Sequence, residues 1–196
     1  VPDLEVHQRM LHIEGTARGP VQSALDIIRA SPLKDGHAAR LLELEFDGDI
    51  ELALDMDAAL YDNGPHDVRG QVRFDGNRIG ARSQGITLDA VAGAINFTQN
   101  DWFGDALQAE FEGAPIELAV AGGLDDPVYD SEFRLRGRAD PALLLHVLER
   151  YAPPAHGWLR AHDRLGAFAG NTPWSATLSI PRSRDEASPA QRLRVE

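Results

Sequence analysis

The segment from Ile50 to Leu60 places an apolar residue at every second position. Glu51, Asp55 and Asp57 lie between them, so the other side of the pattern is charged. A period of two is typical of a β-strand with one apolar face and one polar face. The usual strand has about 5–6 residues, and this one is therefore long. Because little predicted helix is available to cover its apolar face, that face must lie against another sheet or against something that is not protein.

Similar strips of alternating apolar residues recur along the chain, at 66–74, 107–111, 116–120, 129–135 and 174–180. They predict a mainly β protein with minor α. In a further strip the apolar positions change phase, from the even-numbered Ile86 to the odd-numbered Phe97. Such a slip predicts a β-bulge, which we place near Asp89 and Ala90.

Two segments have a helical period instead. The first lies near 20–31, where Pro20 suits a first helical turn. The second lies at 141–151, with Asp140 as its predicted N-cap. A weaker helical pattern covers 37–42.

A short phrase, Phe-Asp-Gly or Phe-Glu-Gly, ends at Gly48, Gly76 and Gly113. An isoleucine follows each copy within a few residues. The simpler interpretation is a hairpin turn at each copy, because Asp-Gly favours such turns. The alternative is that the copies mark structural repeats.

Charge and composition exclude several classes of protein. The net charge is −12, which argues against nucleic acid and against broad adsorption to anionic lipid headgroups. The chain has no cysteine, and no apolar run approaches the roughly 20 residues that span a bilayer. It begins with Val1 and has no signal peptide, so we expect a processed protein or an internal piece whose membrane anchor lies elsewhere.

No arrangement of residues predicts catalysis. The seven histidines have no metal-ligand spacing, and no nucleophile elbow or phosphate-binding loop is present. Asp55 and Asp57 share one face of a predicted strand, where solvated charges are the ordinary explanation. An enzyme that acts on envelope carbohydrate through these two carboxylates is a remote alternative. We therefore predict no enzyme activity, no cofactor and no metal.

The apolar strips leave three structures open. A second sheet can cover them in a closed β-sandwich or barrel. An outer-membrane barrel also alternates, but it needs aromatic girdles, and aromatic residues make up only 7% of the chain. The third structure is a strongly curved sheet whose apolar face is a groove. Apolar area left in water costs roughly 25 cal/mol per Å², so an exposed strip implies a guest or a partner.

The order of the segments resembles a known family. The relevant phrases are ELALDMDAAL, VRGQVRFDGNRI, ITLDAVAGAINFTQND, LQAEFEGAPIEL and NTPWSATLSIP, followed by the final LRVE. In this order they resemble an internal fragment of the AsmA-like envelope proteins of Gram-negative bacteria, in the YhdP-type branch. The match is weakest at 140–171, where nothing is carried over.

The resemblance implies an elongated, strongly curved antiparallel sheet that forms an apolar groove, with two or three short helices. It implies one β-groove segment at 1–181, then a polar linker and the start of the next strand at 182–196. Proteins of this kind are anchored in the inner membrane and carry phospholipid across the periplasm toward the outer membrane, or modulate outer-membrane permeability.

The partners implied are phospholipid acyl chains and, through parts of the protein outside this chain, the two membranes. The family has no catalytic residues to transfer, and its functional positions are inward-facing apolar side chains. The residues expected to line the groove are Ile50, Leu52, Leu54, Met56, Leu60, Val68, Val72, Phe74, Ile95, Phe97, Leu107, Phe111, Ile116, Leu118 and Val120. The alternative function is a closed, β-sandwich-like spacer or protein-interaction module of the envelope.

Overall fold

The fold is taken from a computed structural model of the chain. The structure describes residues 10–30, 42, 44–59, 66–81, 85–151, 156–157, 170–182 and 192–195. Its strands are β1 (Met10–Pro20), β2 (Glu45–Asp47), β3 (Asp49–Ala59), β4 (His66–Ala81), β5 (Ile86–Thr98), β6 (Trp102–Phe111), β7 (Ala114–Gly122), β8 (Tyr129–Ala139), β9 (Thr172–Pro181) and β10 (Arg192–Val195). Its helices are α1 (Val21–Ala30) and α2 (Pro141–Tyr151).

All the strands in the described ranges belong to one antiparallel sheet. Their order is β1-β3-β4-β5-β6-β7-β8-β9-β10, and the short β2 also pairs with β4. The two edge strands, β1 and β10, do not pair with each other, so the sheet is open. The prediction of a mainly β, curved antiparallel sheet is confirmed, and a closed sandwich or barrel is not what this part of the chain forms.

The predicted long strand is β3, and both predicted helices are present. Pro20 is the last residue of β1 and the helix begins one residue later. Leu60 and most of the weak helical pattern at 37–42 lie outside the described residues. A strand does form at the C-terminal end, as β10, whereas the division into a segment at 1–181 and a linker stays a prediction.

The hairpin interpretation of the repeated phrase is right at one copy and wrong at two. At Glu112 and Gly113 both φ angles are positive, 50° and 78°, and a two-residue turn joins β6 to β7. At Gly76 the strand β4 continues beyond the phrase, and both of its halves pair with β5. At Gly48 the chain passes from β2 into β3, and both of these pair with β4. These two copies are therefore breaks within strands.

The breaks lie side by side in neighbouring strands. In β4 the register with β5 shifts between Asp75 and Asn77, next to Gly76 at φ 79°. In β5 it shifts between Asp89 and Ala92, around Ala90 at φ 51°, which confirms the bulge predicted there. In β6 it shifts between Gly104 and Leu107, around Ala106 at φ 55°.

A bulge bends its strand and strengthens the local twist. Because these bulges lie at similar levels in adjacent strands, they bend the sheet along a line that crosses the strands. The result is a trough whose axis runs in the direction from β1 to β10. The most buried apolar side chains follow this line: Ile50, Phe74, Val91, Leu107 and Leu118 are 0–7% exposed. They form the floor of the trough.

The side chain of Asn77 connects the break in β4 with the break between β2 and β3. It is 1% exposed, and its Nδ2 donates hydrogen bonds to the carbonyl oxygens of Asp47 and Asp49, at 3.2 and 2.9 Å. Its Oδ1 accepts a hydrogen bond from the backbone N–H of Asp75 at 2.9 Å. A single amide thus makes three hydrogen bonds to the backbone at the break, and its donor and acceptor are both used.

We expect Asn77→Ala to lower the free energy of unfolding by about 2–4 kcal/mol. Three partly buried hydrogen bonds are lost, and each contributes about 1 kcal/mol to stability. The measurement is urea unfolding followed by circular dichroism. Asn100→Ala, at an exposed turn, is the control and should change stability by less than about 0.5 kcal/mol. Equal effects of the two substitutions would contradict the role given to Asn77.

Candidate functional site: an apolar groove on one face of the sheet

The strand registers place the apolar side chains of neighbouring strands opposite one another. Met56 on β3 pairs with Ile13 on β1 and with Val68 on β4. Leu118 on β7 pairs with Leu107 on β6 and with Leu135 on β8. Because side chains alternate between the two faces of a strand, these matches put all the apolar sets on one face of the sheet. We call this the inner face.

Every residue predicted to line a groove lies on the inner face, except Leu60, which is outside the described residues. Those placed there are Ile50, Leu52, Leu54, Met56, Val68, Val72, Phe74, Ile95, Phe97, Leu107, Phe111, Ile116, Leu118 and Val120. That lipid contacts these residues stays a prediction.

The inner face also includes residues that the sequence analysis did not place in the groove. They share the same registers and come from strands at both sides of the sheet: Leu11, Ile13, Trp102, Phe133, Leu135, Trp174, Leu178 and Ile180. The alternating pattern of β8 and β9 is enough to predict that their five residues in this list share one face. No alternating pattern includes Trp102, which follows a turn, so the sequence alone does not assign it to a face.

Burial falls from the floor of the trough toward one of its walls. Leu54 and Met56 on β3, and Phe97 on β5, are half-buried, whereas the floor is almost fully covered. On the edge strand β1, Leu11 and Ile13 are 42% and 39% exposed. We call the side of the inner face that carries these five residues the open wall. No described helix or second sheet packs over it.

Helix α1 covers part of the opposite wall. Val21 and Leu25 are only 5% and 4% exposed, and Val21 packs in the core cluster with Phe46 against it. The backbone N–H of Val21 donates to the carbonyl of Gly48 at 3.1 Å, so the helix starts at the break between β2 and β3. Gln22 adds a side-chain hydrogen bond to the Phe46 carbonyl at 3.0 Å.

Helix α2 lies over the same wall, and none of its residues is fully buried. Its N-cap is the predicted Asp140, whose Oδ1 accepts a hydrogen bond from the backbone N–H of Leu143 at 2.8 Å. Val147 and Tyr151 pack against the core, and the Tyr151 ring lies 5.6 Å from that of Phe111. The helix therefore rests on the inner face through one side only.

Polar contacts fasten the last turn of α2 to the sheet. The Tyr151 hydroxyl lies 3.0 Å from Oε1 of Glu112 and 3.1 Å from the Gly85 carbonyl oxygen. Arg150 donates to the same Glu112 oxygen at 3.3 Å. Partial burial raises the pKa of Tyr151, and the hydrogen bond to Glu112 raises it further. The carboxylate of Glu112 is thus the common acceptor that holds α2 in place.

We expect Glu112→Ala to loosen α2 while leaving the sheet folded. The lost hydrogen bond and ion pair are each worth about 1 kcal/mol or less, so backbone exchange in 141–151 should accelerate by about tenfold or less. Hydrogen–deuterium exchange with mass spectrometry measures this directly. Glu110→Ala, on the exposed face of the preceding strand β6, is the control and should leave α2 unchanged. Unchanged exchange in the Glu112 variant would show that packing alone holds the helix.

The carboxylates considered for catalysis lie on the outer face, opposite the groove. Nδ1 of His12 is 2.9 Å from Oδ1 of Asp57 and 3.7 Å from Oδ1 of Asp55, and all three side chains are at least half exposed. The hydrogen bond to Asp57 is the main cause that raises the pKa of His12 above 6.5. In this exposed setting the residues form ordinary surface ion pairs.

We expect Asp57→Asn to bring the pKa of His12 down toward 6.5, because the charged hydrogen-bond acceptor is removed. An NMR pH titration of the imidazole measures this, with Asp26→Asn on α1 as the control. Since the folded-state pKa is raised, the pair stabilises the fold below the unfolded-state pKa and loses this effect as the pH rises through the raised value. A His12 pKa that does not respond would assign the shift to another group.

Within the described ranges, no group of three or more histidine, aspartate or glutamate side chains is arranged to hold a metal ion. The described helices are too short or too polar to cross a membrane.

The comparisons with known proteins agree with this geometry. The sequence matches the model of the YhdP protein family over residues 1–195. The chain belongs to the YhdP family. It is 27% identical over 143 residues to the intermembrane phospholipid transporter YhdP of Escherichia coli (strain K12), a match that covers 72% of this chain. The same match covers 11% of the length of that relative. No solved structure matches the chain.

Proposed function

We propose that this YhdP-family chain is a non-enzymatic segment of an intermembrane phospholipid transporter, and that its inner face holds acyl chains. The observation that carries the proposal is the open wall: a continuous apolar face in one open sheet, without a described layer over its β3 to β5 side. A relative named as a phospholipid transporter supplies the chemical class of the guest.

The lipid would move passively along the trough. Its acyl chains exchange water for the apolar inner face, which gains roughly 25 cal/mol for each Å² removed from water. Its headgroup stays in solvent at the rim of the open wall, where the strands end in polar turns that include Asn100 and Asp126. Because no bond is made or broken, the proposal requires no catalytic group and no cofactor.

We place the segment in the periplasm, as part of a protein anchored in the inner membrane through regions outside this chain. In this setting it would help to deliver phospholipid toward the outer membrane and so support the permeability barrier. The net charge of −12 fits this placement, because an acidic segment is repelled by anionic membrane surfaces and stays between them. The trough runs across the strands, and among the described strands neither edge strand, β1 or β10, has a second neighbour.

Leu54 is the best position at which to test the proposal. It lies on the inner face of β3 between two glycines, Gly15 on β1 and Gly70 on β4, so no side chain directly opposite covers it. Leu54 is half-buried and is not one of the buried core residues. A polar side chain at this position therefore changes the surface of the groove more than the packing of the core. The neighbouring Ala53 is also half-buried but points to the outer face.

We expect Leu54→Glu to reduce bound phospholipid by about tenfold or more, because a carboxylate in the groove must be desolvated when acyl chains cover it. The chain is incubated with vesicles of equal parts phosphatidylethanolamine and phosphatidylglycerol and then re-purified. Bound lipid is extracted and quantified by mass spectrometry.

Ala53→Glu is the control, since it adds the same charge to the same strand on the opposite face, and it should bind lipid as the unchanged chain does. Urea unfolding must show that both variants are folded. If the unchanged chain holds no lipid above a soluble β-protein of similar size, the proposal fails and a spacer role replaces it. Equal losses in both variants would also count against an inner-face site.

A further inference from the structure

One row of residues crosses the inner face along the open wall, two inner-face positions away from the floor of the trough. Reading the registers from β3 to β8, it contains Leu54, Gly70, Phe97, Trp102, Gly122 and Ser131, each directly opposite the next. We call this the glycine–aromatic row. Its two large rings are neighbours on β5 and β6, and each is flanked on its other side by a glycine.

Each ring lies over the glycine on its far side. A Cβ added to Gly122 would overlap the indole of Trp102, and all three of its nearest atoms would belong to that ring. A Cβ added to Gly70 would overlap the ring of Phe97. The two rings therefore lean away from each other and lie along the sheet instead of standing up from it.

A contact on β8 supports this orientation. The ring centroid of Trp102, on β6, lies 5.8 Å from that of Phe133, on β8. To reach it, the indole must pass over β7, and it does so at Gly122, where there is no side chain in the way. The same arrangement recurs in β8 and β9, where a Cβ at Gly137 would come within 3.1 Å of Nε1 of Trp174, the residue opposite it.

The row has a length and a direction that suit an acyl chain. It crosses six neighbouring strands, and at about 4.8 Å per strand spacing its length is roughly 24 Å. The acyl layer of one leaflet is about 15 Å thick, half of a hydrocarbon core of about 30 Å. The row also runs parallel to the trough axis, because both cross the strands.

We propose that the glycine–aromatic row is the track on which an acyl chain lies, and that Gly70 and Gly122 set its depth by letting the rings lie flat. This inference rests on the proposed function. The two glycines would affect lipid binding without contacting the lipid, because they determine how the two aromatic rings lie. A methyl group at either position would lift the aromatic ring into the space that the acyl chain occupies.

Gly122→Ala is the sharper test of this role. Neither glycine has a positive φ, so an alanine is allowed by the backbone at both positions. At Gly122 the atoms in the way all belong to the indole, whereas at Gly70 the carbonyl oxygen of Ala53 also lies 2.9 Å from the added Cβ. The matched control is Gly80→Ala on β4, which pairs with Glu45 and Thr87 on the outer face, and where an added Cβ comes only to 3.5 Å from the side chain of Glu45.

The experiment loads the full chain from vesicles of phosphatidylethanolamine and phosphatidylglycerol and measures bound lipid per chain by mass spectrometry after solvent extraction. We expect Gly122→Ala to lower the apparent affinity for lipid by about tenfold, as overpacking by one methyl group does. Gly80→Ala should bind as the unchanged chain does. In a Trp102→Leu background, adding Gly122→Ala should cause no further loss of binding, because the smaller side chain leaves room for the methyl group.

The outcomes separate the two proposals. If the unchanged chain binds no lipid, both are overturned. If it binds lipid and a folded Gly122→Ala variant binds equally well, the track is overturned and the proposed function stands. A folded double variant that binds lipid clearly less well than Trp102→Leu alone also overturns the track. Gly70→Ala displaces the other ring and gives a second measurement, so the loss of fold in one variant does not remove the test.

Discussion

The sheet depends on a line of backbone breaks that crosses its central strands. A regular antiparallel ladder satisfies each backbone group through its neighbour, and every interruption leaves groups that need another partner. In β4 the side chain of Asn77 makes three hydrogen bonds to the backbone at the break, and in β5 and β6 the chain adopts positive φ angles at Ala90 and Ala106. The breaks in β4, β5 and β6 lie beside one another, so together they fix the position and the direction of the bend. The concave inner face and its burial gradient follow from it.

A single bent layer cannot bury its apolar face as a sandwich does. The floor of the trough is covered because side chains of neighbouring strands pack together with Val21 of α1, and Val147 and Tyr151 of α2 pack against the same cluster, while the open wall is only half-buried. The helices remove part of the opposite wall from water, and α2 does so with no fully buried residue and a polar attachment at Glu112. An apolar surface kept in this state is costly for a structural spacer and useful for a protein that must receive and release lipid.

The two faces divide the chemistry of the chain between them. Charged pairs such as His12 with Asp57 and Arg69 with Asp67 lie on the outer face, where they are solvated. The inner face carries apolar side chains. At the glycine–aromatic row, the glycines leave space in which the aromatic rings lie flat on the sheet. Flat rings over glycines offer apolar contact without filling the trough. The row thus offers an apolar surface and leaves space above it, as the proposed acyl-chain track requires.

The sequence by itself determined the strand period, both helices with the Asp140 cap, the bulge at Asp89 and Ala90, and which side chains share a face. These features depend on residues that are near one another in the chain. It did not distinguish the break at Gly76 from the turn at Gly113, because both phrases have the same local preference for a left-handed residue. Only the tertiary structure decided this, since β4 finds a partner in β5 on both sides of its break, whereas β6 must reverse to meet β7. Register likewise decided that Phe97 faces Gly70 and that Trp102 faces Gly122, because such pairs depend on which strands meet and at what offset.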